Sequence, residues 1–383
     1  MKSPSRAVQN LREFIAVPSV NPMDRDDIPD SIAGETRYAE AVHSRLVSLG
    51  LDARLIGQGN RKSVIAEASV PGARDTVLVA SHLDTVPVDG MEIDPFDPQI
   101  DGDLLYGRGS CDTKGGMASL LASLESVIER GTLRRNLIVV GEADEELGSL
   151  GIDDVLEALG TRRPDWVLAT EPTELRIVHQ HKGIALARVV AEGVACHGSD
   201  PGAGRNALGL LARAILTFEE LATEIGARVH PVLGSPTLSA GIAAGGHAPT
   251  VVPDHAWVIL DRRMVPGETV DSVRAELEGA LAAADLSDVR IDWCRSEKGP
   301  LGTPADHACV RHCSSALTRA GLPAELGTVA FGTDAGALAS HGLPGLVMGP
   351  GSIERAHTSR EYVEIRQVDA MTAFFTELLE SAD

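Results

Sequence analysis

Asp75-Thr76-Val77-Leu78-Val79-Ala80 is a short apolar run rich in β-branched residues, and it leads straight into Ser81-His82-Leu83-Asp84-Thr85-Val86-Pro87. Such a run reads as a buried strand. The strand delivers His82 and Asp84 at its C-terminal end, where open α/β sheets place their ligand sites. Side chains alternate along an extended chain, so residues two apart share a side. An imidazole there can bind a metal while the carboxylate beside it orients a neighbour. Taken alone, the segment also fits a surface loop with one His and one Asp.

The same pattern recurs along the chain. Helices are expected over 5–16 and 35–49, with strands over 52–56, 63–68 and 76–80. A loop over 87–107 leads to Gly107-Arg108-Gly109-Ser110-Cys111-Asp112-Thr113-Lys114-Gly115-Gly116-Met117 and a helix running to about 130. A strand over 136–141 ends in Glu142-Ala143-Asp144-Glu145-Glu146-Leu147-Gly148, and one over 166–169 ends in Thr170-Glu171-Pro172-Thr173. Strand–helix alternation of this kind argues for an α/β sheet covered by helices. From about 179 the order changes to strand 184–191, helix 207–225, strands 237–242 and 256–261, helix 270–284 and strand 289–293. That is β-α-β-β-α-β, a ferredoxin-like unit complete in itself. With 383 residues the chain exceeds what one core serves. The expected division is therefore 1–178 with 296–383 as one domain, and 179–295 inserted into it. After residue 300 the helix–strand alternation resumes.

A formal charge of −21 makes nucleic acid and anionic membrane poor partners. No stretch approaches the roughly 20 apolar residues of a membrane span. The N-terminal Met1-Lys2-Ser3-Pro4-Ser5-Arg6 shows no apolar signal-peptide region. Five scattered cysteines do not make a disulfide framework and fit a reducing compartment. The expected location is the cytoplasm.

Four segments should end at one sheet edge, carrying His82 with Asp84, Asp112, Glu145 with Glu146, and Glu171. Ala356-His357-Thr358 follows the turn Gly349-Pro350-Gly351 near the C-terminus. Two histidines and three carboxylates, one of them bridging, give each of two zinc ions three protein ligands and leave room for a water. Gly107, Gly109, Gly115 and Gly116 permit the backbone freedom and close approach that a bridging Asp112 needs. Adjacent side chains diverge, so one of Glu145 and Glu146 can bind metal while the other faces the water as general base. Taken alone, 142–146 also fits a solvated acidic turn. His307, Cys309, His312 and Cys313 do not make a further zinc site. His312 projects about 100° away from Cys313 on a helix, so helix packing is the better use.

These five motifs, in this order, resemble the M20 family of metallopeptidases and amidohydrolases, in the acetylornithine deacetylase, succinyl-diaminopimelate desuccinylase and carboxypeptidase G2 group. The resemblance covers nearly the whole chain, including the insertion. It implies a zinc-peptidase-like α/β catalytic domain with a βαββαβ lid that also dimerises. It implies two zinc ions, with cobalt able to replace them: His82 and Glu171 on one, Glu146 and His357 on the other, Asp112 bridging. Glu145 would be the general acid/base, and Asp84 would orient His82. The family's cis peptide after the bridging aspartate would fall at Asp112-Thr113. His197, in Cys196-His197-Gly198-Ser199-Asp200-Pro201, would donate to the oxyanion in the second subunit's site of a homodimer. Without the resemblance it reads as a turn residue. Arg263 would hold a substrate carboxylate, with Arg262 the competing choice, and Asn206 of Gly204-Arg205-Asn206-Ala207 would contact substrate. The implied activity is cleavage of an N-acyl amino acid. A dipeptidase or carboxypeptidase on the same scaffold is one alternative, and a non-catalytic binding protein of this fold is another.

Overall fold

In the computed structural model, which describes residues 3–381 apart from the Glu297 side chain, the first helix is set by its cap. Residues 1–2 and 382–383, counted in the expected ranges, lie outside the described residues. Ser5 Oγ accepts a hydrogen bond from the Val8 amide at the start of α1 (Arg6–Ile15). Leu11, Phe14 and Ile15 are buried along α1, and Tyr38, Val42 and Leu46 along α2 (Thr36–Ser48), at the three-to-four spacing of one helical face. Strands β1 (Asp52–Gln58), β2 (Arg61–Ala68) and β3 (Thr76–Ala80) follow. Val77 to Ala80 are all buried, because both faces of β3 are covered. The stretch expected as a plain loop contains a hairpin, β4 (Gln99–Asp101) and β5 (Leu104–Tyr106), turned at Gly102 with φ +61°. Then come α3 (Lys114–Arg130), β6 (Asn136–Gly141), α4 (Leu150–Leu159), β7 (Trp166–Ala169) and β8 (Ile177–His181).

The chain divides into two compact units. One comprises the chain up to His179, Thr303–Gly327 and the stretch from Thr333 on; the other is Gln180–Gly302 with Thr328–Gly332. The second unit carries β9 (Gly183–Glu192), β10 (Cys196–His197), α5 (Ala207–Gly226), β11 (Thr237–Gly245), β12 (Val251–Val252), β13 (His255–Met264), α6 (Val270–Ala283), β14 (Val289–Lys298) and β15 (Leu301–Gly302). Its antiparallel sheet has the order β11-β13-β9-β14. With α5 and α6 this is the βαββαβ arrangement expected. Val189, Ala191, Leu210, Phe218, Val258 and Leu277 are part of its core. The expected boundary at 295/296 falls inside β14, which continues to Lys298.

The first unit resumes with α7 (Ala308–Arg319), β16 (Leu326–Val329, whose end passes into the second unit), α8 (Asp334–Ala339), β17 (Gly345–Val347), β18 (Tyr362–Glu364) and α9 (Ile365–Glu380). Its sheet runs β1-β2-β6-β3-β7-β17-β8. Strand β3 is parallel to both β6 and β7, so these three end on the same edge. One core joins α1, α2, α3, α7 and α9; a second joins α4 and α8, the two lying against the sheet. Strand β18 pairs with β5, and β5 with β4, in a small sheet that the sequence pattern does not announce. Cys309 and Cys313 are buried in the core, His307 caps α7, and His312 stacks on Trp166. These four residues serve packing, and none belongs to a potential metal cluster among the described residues.

His181 is fully buried and its Nδ1 bonds the Lys182 carbonyl at 2.9 Å. Burial, reinforced by the Lys298 charge, lowers its pKa to about 4. The unfolded chain takes up this proton near pH 6.5, so stability is complete above that pH and falls as the pH drops toward 4. Between pH 7.5 and 4.5 the wild type should lose about 2–3 kcal/mol more than His181→Gln, as read by urea unfolding at both pH values.

Candidate metal centre

Because β3, β6 and β7 are adjacent and parallel, the residues that follow them emerge together. His82 and Asp84 follow β3, Glu145 and Glu146 follow β6, and Glu171 follows β7. Asp112 arrives on the loop before α3, and the Asp112–Thr113 peptide is cis. His357 lies beyond the turn at Gly351, itself at φ +60°. Gly116 could carry no side chain, since a Cβ there would meet Thr170 at 2.4 Å. Gly107, at φ +146°, faces Ile15 closely enough that a Cβ would lie 2.5 Å from it.

The six side chains converge within the first unit. His82 Nε2 lies 2.9 Å from Asp112 Oδ1 and 3.9 Å from Glu171 Oε2. His357 Nε2 lies 3.2 Å from Asp112 Oδ2 and 3.2 Å from Glu146 Oε2. The two oxygens of Asp112 thus face two different imidazoles. Donor atoms of His82, Asp112 and Glu146 fall within 4.8 Å of one another, as do those of His82, Glu145 and Glu171. Ligands 2.0–2.2 Å from a tetrahedral ion stand about 3.3–3.6 Å apart. The donor chemistry and spacing fit two divalent cations sharing Asp112.

The electrostatics agree. Burial would raise the Asp112 pKa, but the His357 and His82 imidazoles hold it well below the carboxylate range. Burial and the Asp112 charge push Glu146 up to about 7. Hydrogen bonds donated to the Asp112 and Glu146 carboxylates raise His357 to about 10. Burial pulls His82 down, yet Glu171, Asp112 and Asp84 together raise it well above its ordinary value. The pocket attracts positive charge, which here means protons on the imidazoles; a metal ion would displace them.

Asp84 does more than orient an imidazole. His82 Nδ1 donates to the Asp84 carbonyl at 3.0 Å and lies 3.5 Å from its carboxylate, which leaves Nε2 to face the cluster. The Asp84 carboxylate also accepts the Glu145 and Glu146 amides, each at 3.0 Å, and so pins the two-glutamate turn. Behind it, Asn21 Nδ2 donates to Asp84 at 2.8 Å and to Asp144 at 2.9 Å. Arg61 bonds both Asp144 and Glu35. Sequence reasoning missed Asn21, Asp144 and Arg61. An Asn before a Pro in a polar loop carries no local sign of burial.

His197, Asn206 and Arg263 belong to the second unit. His197 is exposed, and its Nδ1 accepts the Ser199 amide at 3.1 Å, so the ring proton sits on Nε2. Asn206 Oδ1 caps α5 by accepting the Gly209 amide at 3.1 Å, and the residue lines a groove with Gly198, Leu208 and 245–249. Arg263 is half-exposed and forks onto Asp261 with two 2.9 Å bonds. Arg262 is buried, bonded to Glu268 and the Arg263 carbonyl, and therefore structural.

A sheet edge that gathers two imidazoles and four carboxylates is the kind of centre a metal-dependent hydrolase uses. Residues 78–381 match the model of Peptidase family M20/M25/M40, and the chain belongs to that family. It is 31% identical to the acetylornithine deacetylase of Myxococcus xanthus over 302 residues, 77% of each chain. It is 33% identical to the acetylornithine deacetylase of Klebsiella pneumoniae over 303 residues, 76% of each. It shares the fold of the M20 family metallo-carboxypeptidase Sso-CP2 from Sulfolobus solfataricus, with a TM-score of 0.79, 21% identity and 99% of both chains covered.

Replacing Asn21 by Leu removes the donor that two buried carboxylates share. The expected loss is about 1–3 kcal/mol in denaturant unfolding and roughly 10–100-fold in turnover. A variant with wild-type stability and turnover would show that Asp84 needs no support from behind.

Proposed function

We propose that the protein is a two-zinc deacylase that cleaves the amide of an N-acyl amino acid. The observation that carries this reading is Asp112, with one oxygen toward His82 and the other toward His357, which also faces Glu146. His82, Asp112 and Glu171 would hold one ion, and Glu146, Asp112 and His357 the other. Bound zinc would polarise the substrate carbonyl and acidify the attacking water. Glu145, buried and held by the Asp84-bonded turn, takes the water's proton. The water's oxygen bonds to the carbonyl carbon, and Glu145 hands the proton to the leaving nitrogen as the C–N bond breaks, giving a carboxylate and a free amino acid. The Nε2–H of His197 donates a hydrogen bond to the carbonyl oxygen as charge builds there, a contribution of about 3–4 kcal/mol. Arg263 exchanges Asp261 for the substrate carboxylate, a planar fork suited to that group. The Asn206 amide serves as a further substrate contact. The acetylornithine deacetylase relatives support an acyl amino acid rather than a peptide.

In this reading the enzyme works as a cytoplasmic homodimer. Its cysteines are free thiols, as a reducing compartment keeps them. Strand β11 is a sheet edge, with Ile242 61% exposed, and α5, which packs against β11, exposes Leu208 and Leu216. An unpaired edge beside apolar side chains is suited to a second copy.

Turnover of N-acetyl and N-succinyl amino acids against dipeptides, with zinc or cobalt added, tests the substrate class. Activity confined to dipeptides would overturn the deacylase reading. Glu145→Gln should keep its metal and lose about 10²–10⁴-fold in kcat. The double variant Leu216→Glu/Ile242→Lys should sediment as a monomer and lose the activity that needs His197 of a second chain.

A further inference from the structure

Three ligand-bearing segments meet on one buried ion pair that no step above uses. Glu361 is fully buried and follows His357 by four residues. Its Oε1 accepts the amides of Cys111 at 2.9 Å and Asp112 at 3.0 Å. Its Oε2 accepts the Gly109 amide at 3.1 Å and Arg108 Nη1 at 2.7 Å. The Gly107 amide donates to the Glu361 carbonyl at 3.1 Å. Arg108 is itself 3% exposed, and its Nη2 donates to the Pro87 carbonyl at 3.2 Å, at the end of the segment bearing His82 and Asp84.

The geometry points to Glu361 as the positioning residue that holds Asp112 where both its oxygens can serve two ions. This inference rests on the two-ion reading above. A shared carboxylate must present each oxygen to a different partner, which demands a fixed backbone. The loop before Asp112 has little intrinsic preference for that shape, with Gly107 at φ +146° and Gly109 at φ +81°. Four donors converging on one carboxylate impose the shape instead. Because Glu361 and His357 share one short stretch, the element that brings an imidazole to the centre also folds the loop that brings the bridge. Aspartate at 361 would fall a methylene short. Glutamine would turn its NH2 toward N–H donors on one side or the other, so no orientation of the amide satisfies all four.

The test is zinc binding by the full-length apo-protein under chelator competition, comparing wild type, Glu361→Gln and His357→Ala, with thermal unfolding of each. Wild type should take up two ions per chain and His357→Ala should lose one. Glu361→Gln should fold with a lowered unfolding temperature, since a buried donor is left unpaired, and also bind zinc roughly 10–100-fold more weakly, and its kcat should recover at saturating zinc with KM unchanged. A purely structural role would lower the unfolding temperature and leave zinc affinity intact. Wild-type zinc affinity in Glu361→Gln, with His357→Ala still losing an ion, overturns the role of Glu361 and leaves the two-ion reading standing. Uptake of a single ion by the wild type ends both. If Glu361→Gln does not yield folded protein, Arg108→Gln removes one donor from the same carboxylate and decides the matter. Weaker zinc binding by roughly three- to tenfold supports the role, and unchanged binding overturns it.

Discussion

Carboxylates crowded into a water-poor pocket repel one another and lose hydration, and everything at the sheet edge follows from how that cost is met. Three carboxylates that face away from the centre have their own donors. Asp84 has two backbone amides and Asn21, Asp144 has Asn21 and Arg61, and Glu361 has three amides and Arg108. Asp112 and Glu146 are met by imidazoles, which are weak bases and good metal ligands. The outer groups are neutralised by permanent donors, while the inner ones are matched by groups that a cation can displace. A pocket arranged in this way favours a cation at its centre while the groups behind it stay paired.

The residues that gather at this sheet edge were legible in the sequence because each follows a strand or a glycine-rich turn. A strand buried on both faces leaves a continuous apolar run, so β3, β6 and β7 announce themselves and the residues after them can be named. The inserted unit was legible for a different reason: its strands and helices change period in the order that only one small fold uses. Strands of three residues, such as β4, β5 and β18, are too short to show any period, and a hairpin was therefore read as a loop. Asn21 and Glu361 were invisible because what makes them matter lies 63 and 249 or more residues away along the chain. Nothing beside either residue marks it as buried.

Arg262 and Arg263 show where pattern reasoning needs coordinates. Neighbours on a strand point to opposite faces, so one of the pair had to face the core side of its sheet. Which one depends on the face that α5 and α6 cover, and the dipeptide does not carry that information. The structure puts Arg262 on the buried side, where Glu268 and Glu276 balance it, and leaves Arg263 on the open face beside Asp261. An arginine that must release one carboxylate to accept another belongs on the face that solvent reaches.

The division of residues between the two units has a chemical consequence. All six side chains of the centre, with Asn21, Arg61, Asp144, Arg108 and Glu361 behind them, come from the first unit. His197, Asn206 and Arg263, the groups suited to recognising a substrate's oxygen and carboxylate, come from the second. On the proposed reading, metal affinity and substrate choice rest on separate cores, each with its own packing. On that reading, a change in the groove lined by Asn206 and 245–249 would alter which acyl amino acid is accepted without disturbing a single proposed metal ligand.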